Sequence, residues 1–394
     1  MDELCPTPPS APAGAESPSS SGADRSVPEG AVLGARALNR SLLARQLLLR
    51  RERRSVSDTL THLVAMQAQV PLAPYYSLWA RLDGFAPDHL AALIEDRRAV
   101  RLSLLRATVH LVTADDCLAL APVIQPVLTR TLHVNSPFGR RTAGVDHEAL
   151  LSAARALLDA SPLTKSELGR LLHERWPEYD AEALAYAVQL QTPLVQGPPR
   201  GLWGRGGQAR HATAEGWLGR PVGTEAAPDR LVRRYLAAYG PATVADVRAW
   251  SGLGGLRDAV ERLRPELRRY RDERGRELLD LPSTPLPDPE TPAPVRFLGD
   301  YDNLLLAHAD RIRVIPEEHR DVVVPNIGRP AVIVDGFVRG WWRLDRGRGA
   351  ATLRITFFAP LSDDDRVGVI DEGRRLLAFA APGVPDAAVE VVLA

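Results

Sequence analysis

From Leu38, apolar residues recur at helical spacing through Leu38-Asn-Arg-Ser-Leu-Leu-Ala-Arg-Gln-Leu-Leu48, and Ser55 or Ser57 can cap a second helix carrying Leu60, Leu63 and Val64. A third apolar pattern spans 88–98, with Asp88 as its cap. The period then shortens to two. Across Leu104 to Val112, Leu105, Ala107, Val109 and Leu111 fall on one face and Arg106, Thr108 and His110 on the other, the alternation of a half-buried strand. Three helices followed by a strand outline a winged helix.

The outline recurs downstream. Asp146 opens a helix through Leu150, Ala154 and Leu158, Thr164-Lys-Ser-Glu167 is a capping box, and a third helix spans about Asp180 to Leu190. Apolar residues flanking Gly-rich turns from Leu194 to His211 predict a wing hairpin carrying Arg200, Arg205 and Arg210. A third unit has a helix over 228–239, a second capped by Thr243, another over 254–264, and strands near Leu267 to Tyr270 and Glu277 to Leu281. Beyond a Pro-rich linker at 282–294, Val332 to Val338 and Trp341 to Leu344 predict strands. The turn Asp345-Arg-Gly-Arg-Gly349 and the strand Ala351 to Phe358 complete a hairpin whose tip projects Arg346 and Arg348, and Ser362 caps a final helix. Trp341 and Trp342, facing opposite ways, are expected as one core and one rim residue.

These patterns predict an α+β chain: a disorder-like tail (1–35), three winged-helix units (36–138, 139–226, 227–290) and a β-rich C-terminal region with a hairpin (291–394). The tail is rich in Pro, Ser, Ala and Gly and too poor in large apolar side chains to offset the entropy of ordering.

Charge is balanced, 49 basic against 49 acidic residues, so no global field marks a polyanionic partner. Lys165 is the only lysine; Arg suits forked contacts to phosphate, although a high-GC genome enriches Arg for unrelated reasons. Cys5 and Cys117 are the only cysteines, which leaves no disulfide framework and no thiolate metal site. With no secretory pattern and no apolar run long enough to span a bilayer, a soluble, cytoplasmic protein is expected.

The candidate chemistry centres on Gln67-Ala68-Gln69. Pro71 biases Val70 toward an extended conformation, so the second helix is expected to end near Met66 or Gln67. In an extended segment both carboxamides share one side, with Ala68 and Val70 on the other, and two amides facing one point can hold a water. Their bland alternative is solvation of open helix carbonyls. Arg106, Thr108 and His110 can contact phosphate or support the loop that holds the amides. Asp302, Asn303, His308, Asp310 and Arg311 include metal-compatible types but fit a buried hydrogen-bond network better, so no metal is assigned.

The segments Leu38-Asn-Arg-Ser-Leu-Leu-Ala-Arg-Gln46, Met66-Gln-Ala-Gln-Val-Pro71, Leu78-Trp-Ala-Arg-Leu82 and Arg106-Ala-Thr-Val-His-Leu-Val112 resemble the AlkZ-like winged-helix family of bacterial alkylpurine DNA glycosylases. So do Arg200-Gly-Leu-Trp-Gly-Arg205, Tyr301-Asp-Asn-Leu-Leu-Leu-Ala-His-Ala-Asp-Arg311 and Val334-Asp-Gly-Phe-Val-Arg-Gly-Trp341, in the family's order over about 36–360. The resemblance implies three tandem winged helices framing a C-shaped DNA-binding surface, with a Gln-apolar-Gln motif at the reaction centre. Gln67 and Gln69 match that motif, whereas the similar YcaQ-like branch has Asp at the second position.

It further implies a glycosylase acting on duplex DNA with N7-alkylated guanine, and some members of the family also unhook interstrand crosslinks made by antibiotics; a monofunctional, monomeric and cofactor-free enzyme is expected. Such a cationic base leaves without strong acid catalysis, so oriented amides can serve in place of a base. Arg200, Arg205, Arg210, Arg346 and Arg348 are then candidate DNA contacts at the hairpins, with Arg106, Thr108 and His110 nearer the amides. A lyase step is not expected, because Lys165 lies far from the triplet in sequence. The rival readings are a winged-helix transcriptional regulator and a non-catalytic binder of alkylated DNA.

Overall fold

The computed structural model describes residues 27–284 and 286–394, so the expectations for Cys5 and the rest of 1–26 lie outside it. The fold is α+β, with helices packed on three sheets. The tail ends before position 35. Strand β1 (Val32–Leu33) pairs parallel with a strand of the third unit, Val32 opposite Arg271, and Leu33 is buried with Leu38, Tyr270 and Leu278.

Helix Ala35–Arg45 buries polar as well as apolar residues. Asn39 Nδ2 donates to Arg313 O at 2.7 Å and Gly336 O at 2.8 Å, Arg40 pairs with Asp335, and Arg45 forks onto Asp280 at 2.6 and 2.7 Å. The Leu38 to Gln46 motif is therefore a latch that ties the first stretch to the third and to the C-terminal region.

Helix Val56–Leu63 is capped by Ser55, whose Oγ accepts from Asp58 N–H at 3.0 Å. It stops short of the expected Met66 because Val64 sits at φ 70°, ψ −55°, while Ala65 N–H donates to Leu63 O at 2.8 Å, closing a γ-turn. A β-branched residue there costs on the order of 1–3 kcal/mol. The turn is pinned from outside: Tyr239 OH donates to Leu63 O at 3.0 Å and Asn303 Nδ2 to Ala65 O at 2.6 Å. Strand β2 (Met66–Gln67) follows directly. Helix Ala73–Arg81, absent from the sequence reading, accepts Pro74 in its first turn, where no intrahelical N–H is needed. The next helix is Pro87–Glu95, so Asp88 lies inside its first turn rather than capping it.

The single strand expected over Leu104 to Val112 is instead a hairpin. Strands β3 (Ala99–Ser103) and β4 (Val109–Thr113) pair antiparallel around a 3-10 turn, Leu105–Ala107, with Arg106 at φ 53° and Ala107 at φ 58°. The reversal buries Leu104 and Leu105 side by side, which strict alternation cannot do. Three further strands, β5 (Leu163–Thr164), β6 (Leu194–Gly197) and β7 (Arg210–Thr213), complete one six-stranded antiparallel sheet in the order β2-β4-β3-β6-β7-β5. The expected wing hairpin is thus β6–β7, and its pairing to β3 fuses the first two stretches. The helices before it, His147–Ala160, Lys165–Arg175 and Ala181–Gln191, carry the caps Asp146, Thr164 and Asp180 as expected.

Helices Asp229–Tyr239, Val244–Ser251 and Leu256–Leu263 precede β8 (Arg268–Asp272) and β9 (Glu277–Asp280), which with β1 form a second sheet. The third runs β10 (Arg296–Phe297), β11 (Ala331–Val334), β12 (Phe337–Arg346), β13 (Ala350–Phe357) and β14 (Asp386–Leu393). The strand expected over Val332 to Val338 turns at Asp335-Gly336, both at positive φ, the signature of a tight hairpin. Trp341 and Trp342 are both buried, correcting the core-and-rim expectation: Trp342 meets Tyr76 edge-on at 5.2 Å, and Trp341 meets Phe358 at 5.4 Å. Both faces of the strand are covered.

Candidate active site and nucleic-acid interface

Gln67 and Gln69 lie where the short edge strand β2 ends beside the tip of the β3–β4 hairpin. Gln67 is opposite His110 in register, and Gln69 follows after Ala68, whose N–H donates to Val109 O at 2.8 Å. Ala68 is fully buried, Gln67 nearly so, and Gln69 exposed. Both side chains turn to the same hairpin tip. Gln67 Oε1 accepts from Arg106 Nη2 at 2.7 Å, and Gln69 Oε1 accepts from Val109 N–H at 3.2 Å. These donors fix the oxygen ends of both amides and leave a second lone pair on each.

Arg106 owes its reach to the positive-φ turn. Its Nη1 donates to Trp250 O, in the last turn of helix Val244–Ser251, so the helix's negative end faces the guanidinium. Burial lowers the guanidinium to about 10, which leaves it charged at neutral pH. His110, expected either as a DNA contact or as a support for the amides, is fully buried. Burial, reinforced by the Arg106 charge, lowers its imidazole to about 3. The neutral ring donates from Nδ1 to Thr108 O at 2.9 Å, so Nε2 is a lone-pair acceptor with no partner among the described residues. Thr108 Oγ1 donates to Leu105 O at 3.2 Å within the turn.

The network expected around Asp302 is structural. Asp302 takes a forked pair from Arg81 at 2.8 and 2.7 Å and a bond from Ser77 Oγ at 2.6 Å, all buried, and Asn303 pins Ala65 as above. His308 meets Tyr239 O at 3.0 Å, and Asp310 pairs with Arg274 and Arg276. Among the described residues no cluster of three or more His, Cys, Asp or Glu converges as a metal site.

The hairpin arginines divide. Arg205 is exposed and Arg200 half-buried, bonded to Gly207 O at 3.1 Å. Arg210 is committed to the hairpin base through Pro162 O at 3.0 Å and Glu167 at 3.1 Å. Arg348 is exposed at its tip, while Arg346, also exposed, donates to Ala380 O at 2.7 Å. Between the two hairpins lies an aromatic cluster the sequence did not announce: Trp203 packs on Tyr75 at 5.1 Å, Tyr76 at 5.6 Å and Phe379 at 5.3 Å.

On its exposed side Gln69 borders a cleft of about 440 Å³ that also takes in Arg101, Lys165, Gln189, Arg200 and His211. Sequence separation had placed Lys165 far from the triplet; the β3–β6 join brings it to the same cleft. Arg101 was missed too, although a charged residue inside the apolar strand Ala99–Ser103 is a signal in itself. Its Nη2 donates to Ala68 O at 2.8 Å, while Nε and Nη1 are buried without partners. Burial and then Arg200 lower it to about 10. Burial, then Lys165, lowers His211 to about 4; its approach to the Leu163 carbonyl falls outside hydrogen-bond geometry.

The family model described as DNA glycosylase AlkZ-like matches residues 60–379. The chain therefore belongs to this family of DNA glycosylases, enzymes that act on DNA. A curated relative from Streptomyces sahachiroi, named "Interstrand DNA cross-link repair glycosylase", is 25% identical over 328 residues, 77% of this chain and 85% of that protein. The solved structure of Streptomyces sahachiroi DNA glycosylase AlkZ aligns over 92% of this chain and all of its own, with a TM-score of 0.74 and 23% identity, and supports the same fold. No helix among the described residues is long and apolar enough to cross a membrane.

Proposed function

We propose that this glycosylase hydrolyses the N-glycosidic bond of N7-alkylated guanine in duplex DNA, including bulky adducts and interstrand crosslinks, as a cofactor-free monomer. Three winged-helix units (36–138, 139–226, 227–290) and the C-terminal region (291–394) frame a C-shaped DNA-binding surface, a reading supported by the hairpins β3–β4, β6–β7 and β8–β9, each preceded by helices. Gln67 and Gln69 are the catalytic pair. The observation that carries this is the convergence of both amide oxygens on one hairpin tip, each with a lone pair to spare.

In this reading the spare lone pairs accept from a water aimed at C1′ and turn negative dipole ends toward the positive charge growing on the sugar. Orientation substitutes for basicity, which suffices because the alkylated base leaves as a neutral species. Arg106 holds Gln67 from behind, its charge faced by the carbonyl end of helix Val244–Ser251. Arg200, Arg205, Arg346 and Arg348 contact the backbone, while Arg210 and Thr108 act mainly by shaping their hairpins. The bordering cleft is open, as an adduct tied to the opposite strand requires.

The test is incubation with duplex DNA bearing a 7-alkylguanine. Free base and an alkali-labile abasic site are expected, with release abolished in Gln67→Ala and Gln69→Ala. Binding without release by the unmutated protein overturns the proposal in favour of a non-catalytic binder, and tight binding only to a palindromic operator favours a regulator. Borohydride trapping tests the monofunctional assignment: no protein–DNA adduct through Lys165 is expected.

A further inference from the structure

The cleft beside Gln69 is a built site rather than a surface dip. Arg101, 2% exposed, keeps two of its three guanidinium nitrogens unpartnered in its wall, and buried Gln189 and Gln196 oxygens are unpartnered there too. The wing is shaped around the guanidinium: at Gly201, φ 93°, an added Cβ would stand 2.9 Å from Arg101 Cδ and 3.0 Å from Nη1. Tyr75 OH holds the Gly201 carbonyl in place at 2.9 Å. Three cationic side chains, Arg101, Lys165 and Arg200, line the cleft and no Asp or Glu does. Outside the wall, Glu167 is occupied by the Thr164 cap at 2.8 Å and by Arg210 at 3.1 Å, and Glu182, on the far side of Lys165, is the carboxylate whose charge acts on it.

An unpaired guanidinium among like charges, with no carboxylate in the wall, calls for an anion. A cationic alkylated base is repelled by this lining, and a neutral base leaves the charges unmatched. We propose that the cleft seats a single phosphodiester of the DNA backbone on Lys165 and Arg200, beside the strand end that carries Gln69, with the buried Arg101 guanidinium adding its charge from behind the wall. This rests on the glycosylase reading for its ligand and extends it: one gripped phosphate sets the register of the duplex, so that the neighbouring sugar meets the two amides. Arg101 also supports Ala68 O, so one residue couples the phosphate seat to the catalytic strand. It is a positioning residue.

The experiment replaces the phosphates around a 7-alkylguanine, one at a time, with neutral methylphosphonates and measures equilibrium binding and single-turnover release by the unmodified protein. One position is expected to stand out, weakening binding about tenfold and lowering the slope of log affinity against log salt by about one. Lys165→Met and Arg200→Met, both at partly exposed positions, should give the same loss on normal DNA and little further loss on that modified duplex. A flat phosphonate scan, or losses that simply add, overturns the phosphate seat. Because Lys165 is the only lysine, its acylation reports occupancy directly: normal duplex should protect it and the critical phosphonate duplex should not. Equal protection by inorganic phosphate at matched ionic strength would make this a site for free phosphate and overturn the backbone assignment. Binding reads the seat whether or not base is released, whereas absent release from unmodified alkylated duplex removes the glycosylase reading alone.

Discussion

The two flanks of the Gln67-Ala68-Gln69 triplet are built on opposite principles. On one side lie Tyr239, Trp250, Asp302 and Asn303, where most buried polar groups are paired, Arg81 Nε and His308 Nδ1 excepted, and a strained turn at Val64 is held by bonds from distant segments. On the other lie Arg101 and His211, buried with nitrogens that have no partner among the described residues. A satisfied network fixes geometry, since each member leaves a costly orphan if it moves. An unsatisfied one stores binding capacity for a ligand. The triplet sits between them, with Gln67 facing the rigid flank and Gln69 the open one.

The strongest way to break the contrast is to remove an acceptor from the rigid flank. Asp302→Ala leaves Arg81 buried and unpaired, and urea denaturation should show a loss of about 3–5 kcal/mol in stability. Next come the amides: Gln69→Ala should lower single-turnover release on the order of 10²-fold with the melting temperature nearly unchanged, because Gln69 is exposed. Gln67→Ala should lose at least as much release and also some stability, because it frees the Arg106 fork.

Acid should act on both flanks through neutral histidines. His110 and His308 are lowered to about 3 and His211 to about 4, burial being the main cause of each. Unfolding restores each to its ordinary value of 6.5, so the unfolded chain binds more protons below that pH. The stability that depends on their staying neutral is complete above about 6.5 and is lost as pH falls, through about 4 for His211 and about 3 for His110 and His308. His110→Asn should flatten the dependence of stability on pH in that window by about 1.4 kcal/mol per pH unit. The smallest effect is expected at the hairpin tip: Arg348→Ala should lower the salt slope of binding by no more than about one and leave stability unchanged.

Much of the fold was legible because it is local. The caps at Asp146, Thr164, Asp180, Thr243 and Ser362 stand where short polar side chains precede apolar helical patterns, and each accepts a first-turn N–H. The misplaced element ends share a cause. Val64, Arg106, Ala107 and Asp335 adopt positive φ although none is glycine, and each reverses the chain where periodicity predicts continuation. No local propensity announces such a residue; contacts from elsewhere impose it.

For the site, the sequence by itself singled out the two amides and the family resemblance around them, because spacing and motif are properties of consecutive residues. Only the tertiary structure decided what holds them and what lies beside them. Arg106 reaches Gln67 through a turn that the alternating pattern hid, and Arg101, Lys165 and Arg200 meet because β3 pairs with β6, a contact between segments some ninety residues apart (Leu102 opposite Val195). Pairing of that range is selected by burial over the whole sheet, not by the residues that happen to be brought together.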